Sequence, residues 1–136
     1  MTERFPVTVY HNPDCGTSRN ALAMVEAGGY APRVVEYRVV GWTRDLLDQL
    51  LAAMALRPRD LLRTKGTPAA ELGLVDPSVS DTAILDAMIA HPILVNRPIV
   101  VTPKGTKMCR PSELVLDLLD RGPTYFVKED GDVVRR

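Results

Sequence analysis

Apolar positions along this chain change their period several times, and each change marks a predicted element. Val7-Thr8-Val9-Tyr10 alternates and is β-branched, which predicts a strand. After a polar stretch, Asn20-Ala21-Leu22-Ala23-Met24-Val25-Glu26-Ala27 is rich in helix formers, so a helix is predicted over about 16–27, stopped by Gly28-Gly29. Val34, Val35 and Tyr37 predict a second strand over about 33–37. From Thr43 to Ala90 the pattern turns helical. Leu46, Leu47, Leu50, Leu51 and Met54 recur at helical spacing behind Thr43, a suitable N-cap. Pro58 opens a short helix carrying Leu61 and Leu62, and Ile84, Leu85, Met88 and Ile89 form another stripe behind Ser80-Asp81. These stripes are read as core packing, not as a cofactor face.

Ile99-Val100-Val101-Thr102 reads as a buried strand, Pro103-Lys104-Gly105-Thr106 as a turn, and Lys107-Met108-Cys109-Arg110 as the returning strand of a hairpin. Pro111 suits the first turn of a last helix bearing Leu114, Val115, Leu118 and Leu119, ended by Gly122-Pro123. The tail, about 122–136, with its run Lys128-Glu129-Asp130-Gly131-Asp132, is expected to be solvated and mobile. A β-α-β unit, a helical insertion over about 43–90 and a β-β-α unit make one α/β domain, 1–136, with a mixed sheet of about four strands. The first crossover makes strands 1 and 2 parallel; the late hairpin adds an antiparallel pair.

Composition narrows the function classes. Seventeen basic residues balance seventeen acidic ones, so nothing points to a nucleic-acid binder driven by bulk charge. No apolar run approaches a membrane span. The opening Met1-Thr2-Glu3-Arg4 carries an acid and leads into a strand, unlike a signal peptide. Two cysteines without a secretory signal imply a reducing compartment, the cytoplasm, and no disulfide scaffold. With His11 and His91 as the only histidines, no metal-ligand spacing is present and no metal is expected.

The chemistry concentrates at the junction between the first strand and the first helix. Cys15 sits there, beside unpaired backbone N–H groups and the positive end of a helix dipole, and both favour thiolate over thiol. A free cysteine of pKa about 8.5 is about 3% ionised at neutral pH; lowering it to about 6.5 makes it roughly three-quarters ionised. The alternative is an inert, buried thiol, but the neighbours Asn12, Pro13, Asp14, Gly16, Thr17 and Ser18 suit a turn and not a core. Amides at Gly16, Thr17 and Ser18, with the hydroxyls of Thr17 and Ser18, suit an oxyanion, and Gly16 permits close approach. Ser18 stands where a Cys-x-x-Cys motif has its second cysteine, so a sulfur adduct needs an external thiol. Cys109 adjoins Arg110 on a strand; the two side chains point to opposite faces, so Cys109 is read as a core residue.

Arginines give a second clue. Arg97-Pro98 begins the third strand, Arg110-Pro111 ends the fourth, and Arg63 follows Leu61-Leu62. Singly, each also reads as a solvated surface arginine; together they suit bidentate binding of a tetrahedral oxyanion. Arg19, four residues after Cys15 on the same helix face, is in reach of the sulfur. His11 either tunes the thiol or orients the loop by hydrogen bonding. His91, before Pro92, has only a capping role.

Four segments in this order resemble the glutaredoxin-coupled arsenate reductases: His11-Asn12-Pro13-Asp14-Cys15-Gly16-Thr17-Ser18-Arg19-Asn20, Leu61-Leu62-Arg63, His91-Pro92-Ile93-Leu94-Val95-Asn96-Arg97-Pro98-Ile99-Val100-Val101, and Cys109-Arg110-Pro111-Ser112-Glu113. The resemblance runs from about Val7 to Asp120. It implies a thioredoxin-like fold with an inserted helical region and reduction of arsenate to arsenite; it also raises a cis Arg97–Pro98 bond above the ordinary rate of about 5–6%, with cis or trans left open. By it, Cys15 is the nucleophile, Arg63, Arg97 and Arg110 hold the oxyanion, and His11 modulates the thiol's ionisation. Glutathione is then a co-substrate, glutaredoxin the partner that reduces the mixed disulfide, and no cofactor is bound. Phosphate and sulfate are expected to bind weakly without reacting, because selectivity lies in arsenic's acceptance of a thiolate and two electrons. One departure is the loop Gly66-Thr67-Pro68-Ala69-Ala70, less charged and less aromatic than the family pattern. The rival readings are a redox-sensing transcription regulator of the same fold that binds RNA polymerase, which Ser18 disfavours, and a thiol-transfer protein for glutathione mixed disulfides.

Overall fold

A computed structural model of the chain places residues 4–135. Residues 1–3, part of the opening read against a signal peptide, and residue 136 lie outside the described residues. The chain forms two compact units, one from the residues up to Glu36 with those from Arg97 onward, the other Tyr37–Asn96.

The first unit is built on a mixed sheet. β1 (Thr8–His11) leads into α1 (Gly16–Ala27), and β2 (Arg33–Glu36) returns parallel to β1 with Val9 opposite Val34. β3 (Ile99–Thr102) lies antiparallel to β1 on its other side, and β4 (Gly105–Met108) pairs antiparallel with β3, so the sheet order is β2-β1-β3-β4. This is the thioredoxin-like mixed sheet of four strands that the sequence implied. Alternation decides what is buried: Val7 and Val9 lie in the core while Thr8 and Tyr10 are half-buried. Ala21, Met24 and Val25 of α1 meet Val100, Cys109, Val115, Leu116, Leu118 and Leu119 in the same cluster.

Two expectations for the C-terminal part change. The last helix is a 3-10 segment, Ser112–Leu118, closed at both ends by i→i+3 bonds, Leu114 N–H to Pro111 O at 3.1 Å and Leu119 N–H to Leu116 O at 3.3 Å. The apolar spacing accounts for this. Val115 and Leu118 are three apart, as are Leu116 and Leu119, which suits three residues per turn. The tail carries a hairpin, β5 (Tyr125–Val127) with β6 (Val133–Arg135). Phe126 and Val134 pack on the core cluster while Tyr125, Val127 and Val133 are exposed, a two-residue period. Gly131, at φ +93, provides the left-handed residue of its turn.

The second unit is helical: α2 (Tyr37–Val40), α3 (Arg44–Met54), α4 (Pro58–Leu61), α5 (Asp81–Ala90) and a 3-10 turn Pro92–Leu94. Tyr37, expected to end strand 2, instead opens α2, fully buried and stacked on Trp42 at 5.0 Å. The caps fall where the sequence puts them: Thr43 Oγ1 accepts from Leu46 N–H and Ser80 Oγ from Ala83 N–H. Leu47, Leu50 and Leu51, and Ile84, Leu85 and Met88, are buried, whereas Ile89 of the predicted stripe is exposed. Residues 63–80 form turns instead of continuing the helical pattern, because Pro68 and Pro77 remove helical N–H donors. Among the described residues no helix is long and apolar enough to cross a membrane.

Leu118→Ala removes a side chain 2% exposed from the first unit's core. Urea unfolding is expected to show a loss of about 2–5 kcal/mol; a loss below about 1 kcal/mol would take Leu118 out of the load of that core.

Candidate active site

The thiol loop is held from beneath. Ser18 Oγ, fully buried on α1, accepts from the Asn12 N–H at 3.0 Å and shares a 2.6 Å hydrogen bond with His11 Nδ1. Above it, Asn12 Oδ1 accepts from Asp14 N–H at 2.9 Å and Asn12 O from Cys15 N–H at 3.0 Å, which closes an Asx turn. Cys15 therefore arrives extended at the N-cap of α1, with its sulfur at the positive end of the helix. Of the two readings for His11, it occupies the hydrogen-bonded position within the loop. The Ser18 hydroxyl is engaged inward, so what Ser18 offers the sulfur is its backbone amide.

The ends of the hairpin strands bring the arginines. Arg97 precedes Pro98 at the start of β3 and Arg110 precedes Pro111 beyond β4; both X–Pro bonds are cis. Arg110 Nη1 lies 3.7 Å from Cys15 Sγ and donates to the Arg97 carbonyl at 3.1 Å. Cys15, Asp14, Gly16, Thr17, Asn20, Arg97, Arg110, Glu129 and Asp130 line one open cavity of about 390 Å³. Burial pushes the Cys15 thiol up. The Ser18 amide, the charge of Arg97 and hydrogen bonds from the Arg110 and Arg97 guanidiniums outweigh it, and the thiol lies below its ordinary value. The amide acts through proximity, since no full capping hydrogen bond reaches the Cys15 side chain.

Cys109 shows the opposite environment. It is fully buried in the core, and burial pushes its thiol up to about 12 against the weaker pull of Lys107. The strand predicted over 107–110 instead spans Gly105–Met108, so Cys109 and Arg110 lie just past it; Cys109 stays in the core while Arg110 reaches the Cys15 sulfur.

Other expected residues fall differently. Arg63 belongs to the second unit, its N–H bonded to Leu94 O at 2.7 Å and its Nε donating to Lys65 O at 3.0 Å. Arg19, expected at the sulfur, instead grips Glu129 with Nε and Nη2 at 2.8 and 2.9 Å and donates from Nη1 to Pro13 O at 2.7 Å. At Gly16 a Cβ would meet Arg19 and Glu129 only at ordinary contact, 3.7 Å, so the protein itself does not demand glycine there for space. Thr17 stands half-buried in the cavity wall. His91 closes α5 through its backbone N–H to Ala87 O, with an exposed side chain. Glu129, Asp130 and Asn20 are the residues that sequence reasoning missed. The apolar residues flanking Asp130-Gly131, a hairpin signal, point to the first two.

Among the described residues no group of three His, Cys, Asp or Glu side chains is placed to hold a metal ion.

A basic, thiol-bearing helix N-terminus on a mixed four-stranded sheet defines a thioredoxin-fold thiol protein. The family model described as ArsC family matches residues 10–118, and the chain belongs to that family. It is 58% identical over 135 residues to the arsenate reductase ArsI1 of Synechocystis, covering 98% of this chain and 93% of that one. An arsenate reductase of Escherichia coli is 51% identical over 129 residues, with 94% and 92% covered. Among solved structures, the arsenate reductase from Vibrio cholerae superposes with a TM-score of 0.81 at 38% identity, covering 86% of this chain and all of that one.

Because the thiolate form of Cys15 is favoured in the folded state, it adds stability above the free-thiol range, which is lost as pH falls through the lowered value. Iodoacetamide labelling resolved by mass is expected to modify Cys15 with a midpoint below that of a free thiol, while Cys109 stays unlabelled. Equal labelling of the two sulfurs would contradict these environments.

Proposed function

We propose that this chain is an arsenate reductase in which the Cys15 thiolate attacks arsenic. The observation that carries the reading is the sulfur at the N-terminus of α1 with Arg110 Nη1 at 3.7 Å and Arg97 in the same cavity wall. Membership of the ArsC family and the activity named for its relatives support it. A sulfur–arsenic bond forms as one arsenate oxygen leaves as water. Arg97 and Arg110 hold the remaining oxygens and take up the charge that develops on them. Gly16 and Thr17 line the same cavity, and the free amides of the first helical turn are the donors assigned to the oxyanion. Arg63 is assigned to the oxyanion on the sequence resemblance alone, and His11 acts on the thiol through the loop it helps to fix.

The second half of the reaction needs electrons from outside. Ser18 is no thiol and Cys109 is sealed in the core, so the nearby chain offers no resolving sulfur. Glutathione fills that role as co-substrate. Its sulfur displaces a further oxygen from arsenic; two electrons then pass to arsenic, arsenite leaves, and Cys15 is left in a mixed disulfide with glutathione. Glutaredoxin reduces that disulfide with a second glutathione and restores the thiol. No bound cofactor enters the cycle. A supply of reduced glutathione sets this chemistry in the cytoplasm, in keeping with two free cysteines.

Arsenite formation is measured with glutathione and glutaredoxin each omitted in turn; both are expected to be required, and turnover without glutathione would overturn the external-thiol step. Cys15→Ser is expected to abolish arsenite formation in a folded protein, and retained activity would remove Cys15 as nucleophile. Arg97→Lys keeps the charge but loses the planar fork, so kcat/KM is expected to fall about tenfold or more. Wild-type kinetics in that variant would take Arg97 out of the site.

A further inference from the structure

The oxyanion cavity has an acidic side. Glu129 and Asp130 reach it from the turn between β5 and β6, more than a hundred residues after the thiol they approach. Carboxylates are ill-suited neighbours for a thiolate and an incoming anion. Glu129, however, is not a loose charge. Both its oxygens are taken by Arg19, and its backbone N–H donates to Asn20 Oδ1 at 3.0 Å. Lys128, one residue earlier, ties the same turn to Glu113 at 2.7 Å. Asp130 has one oxygen occupied by the Asp132 N–H.

Arg19 is the cation that matters here. It stands one helical turn after Cys15, its N–H bonds the Cys15 carbonyl at 2.9 Å, and it feels the charge of the sulfur. Unclaimed, it would be a third guanidinium acting on a thiolate already stabilised by Arg97, Arg110 and the helix. A thiolate held too firmly is a poor nucleophile, because reactivity falls with thiol pKa along a Brønsted slope of about 0.4–0.5. The charged groups around the sulfur are then Asp14 in the loop, Arg19 on α1, Arg97 and Arg110 at the strand ends, and Glu129 and Asp130 on the hairpin turn.

We propose that Glu129 is a positioning residue for the reaction: by gripping Nε and Nη2 of Arg19 it withholds a third cation from Cys15 and leaves Nη1 as a strut under Pro13 of the thiol loop. The pair is exposed on both sides, 43% and 49%, so its worth lies in orientation and local charge, not in fold stability. The inference rests on the reading of Cys15 as the attacking thiolate, and it assigns a function in that site to the C-terminal hairpin.

The test is a double-mutant cycle read by iodoacetamide labelling of Cys15 against pH, with no arsenate present. Glu129→Gln is expected to move the labelling midpoint down by about half a unit or more, since a negative charge is lost and Arg19 is released toward the sulfur. The fully ionised sulfur of that variant is expected to react about twofold more slowly. Arg19→Gln is expected to move the midpoint up. In the Arg19→Gln background, Glu129→Gln is expected to move the midpoint much less than it does in wild type, because the cation that Glu129 withholds is gone. Cys109 remaining unlabelled certifies the fold of each variant. An unchanged or raised midpoint in Glu129→Gln, or the same downward shift from Glu129→Gln with and without Arg19, would overturn the proposal. Labelling does not depend on turnover, so those outcomes sink this inference alone, whereas failure of the wild-type protein to form arsenite sinks the reductase reading alone.

Discussion

The buried hydroxyl of Ser18 is the point on which the site turns. One oxygen accepts the Asn12 N–H and meets His11 Nδ1, and so joins the end of β1 to the first turn of α1 beneath the loop that carries Cys15. A buried backbone donor that loses its partner costs about 1–3 kcal/mol, so the loop has a strong reason to keep the conformation in which Asn12 O accepts from Cys15 N–H. The sulfur's place at the helix N-terminus follows from that knot. A cysteine in the same position would make a weaker acceptor as well as offer a second thiol. Serine there serves architecture and chemistry at once.

Around this fixed sulfur the sheet arranges charge. β1 lies at the centre beside β3, and the ends of the β3–β4 hairpin carry Arg97 and Arg110 to the side where the thiol loop emerges. Arg110 then braces the pair by donating to the Arg97 carbonyl. Just past β4, Cys109 turns inward and Arg110 outward. One sulfur becomes acidic and the other inert, with its thiol pushed to about 12, though the two come from a single chain under one solvent condition. Environment, not residue type, makes the difference.

Much of this was legible in residue order. The alternation of Val7 to Tyr10, the helix formers after Asn20 and the caps Thr43 and Ser80 lead to the right elements because each signal is local. The strand-end placement of Arg97 and Arg110 was equally readable; Cys109 does face the core and Arg110 the sulfur, but both lie just past β4 and not within the strand predicted over 107–110, so period two is not what separates them. What escaped depends on tertiary choice. Tyr37 continues a β-branched run, yet leaves the strand to stack on Trp42. The spacing of Val115 to Leu119 fits an α-helix and a 3-10 turn alike, and packing against α1 decides it. The tail's run of charges hid a hairpin signal in Asp130-Gly131 with Phe126 and Val134 to either side, and with it Glu129 and the capture of Arg19.

The β5–β6 hairpin also has a bearing on how the molecule is made. The cavity takes its residues from Asp14 at one extreme and Asp130 at the other. Synthesis runs from the N-terminus, and the last wall of the cavity leaves the ribosome more than a hundred residues after the cysteine. Until then the nascent chain carries a cysteine in an unfinished electrostatic setting, with neither its strand-end guanidiniums nor its acidic rim in place. Nucleophilic character in this sulfur is therefore acquired late, only once the strand-end arginines and the β5–β6 hairpin have folded around it.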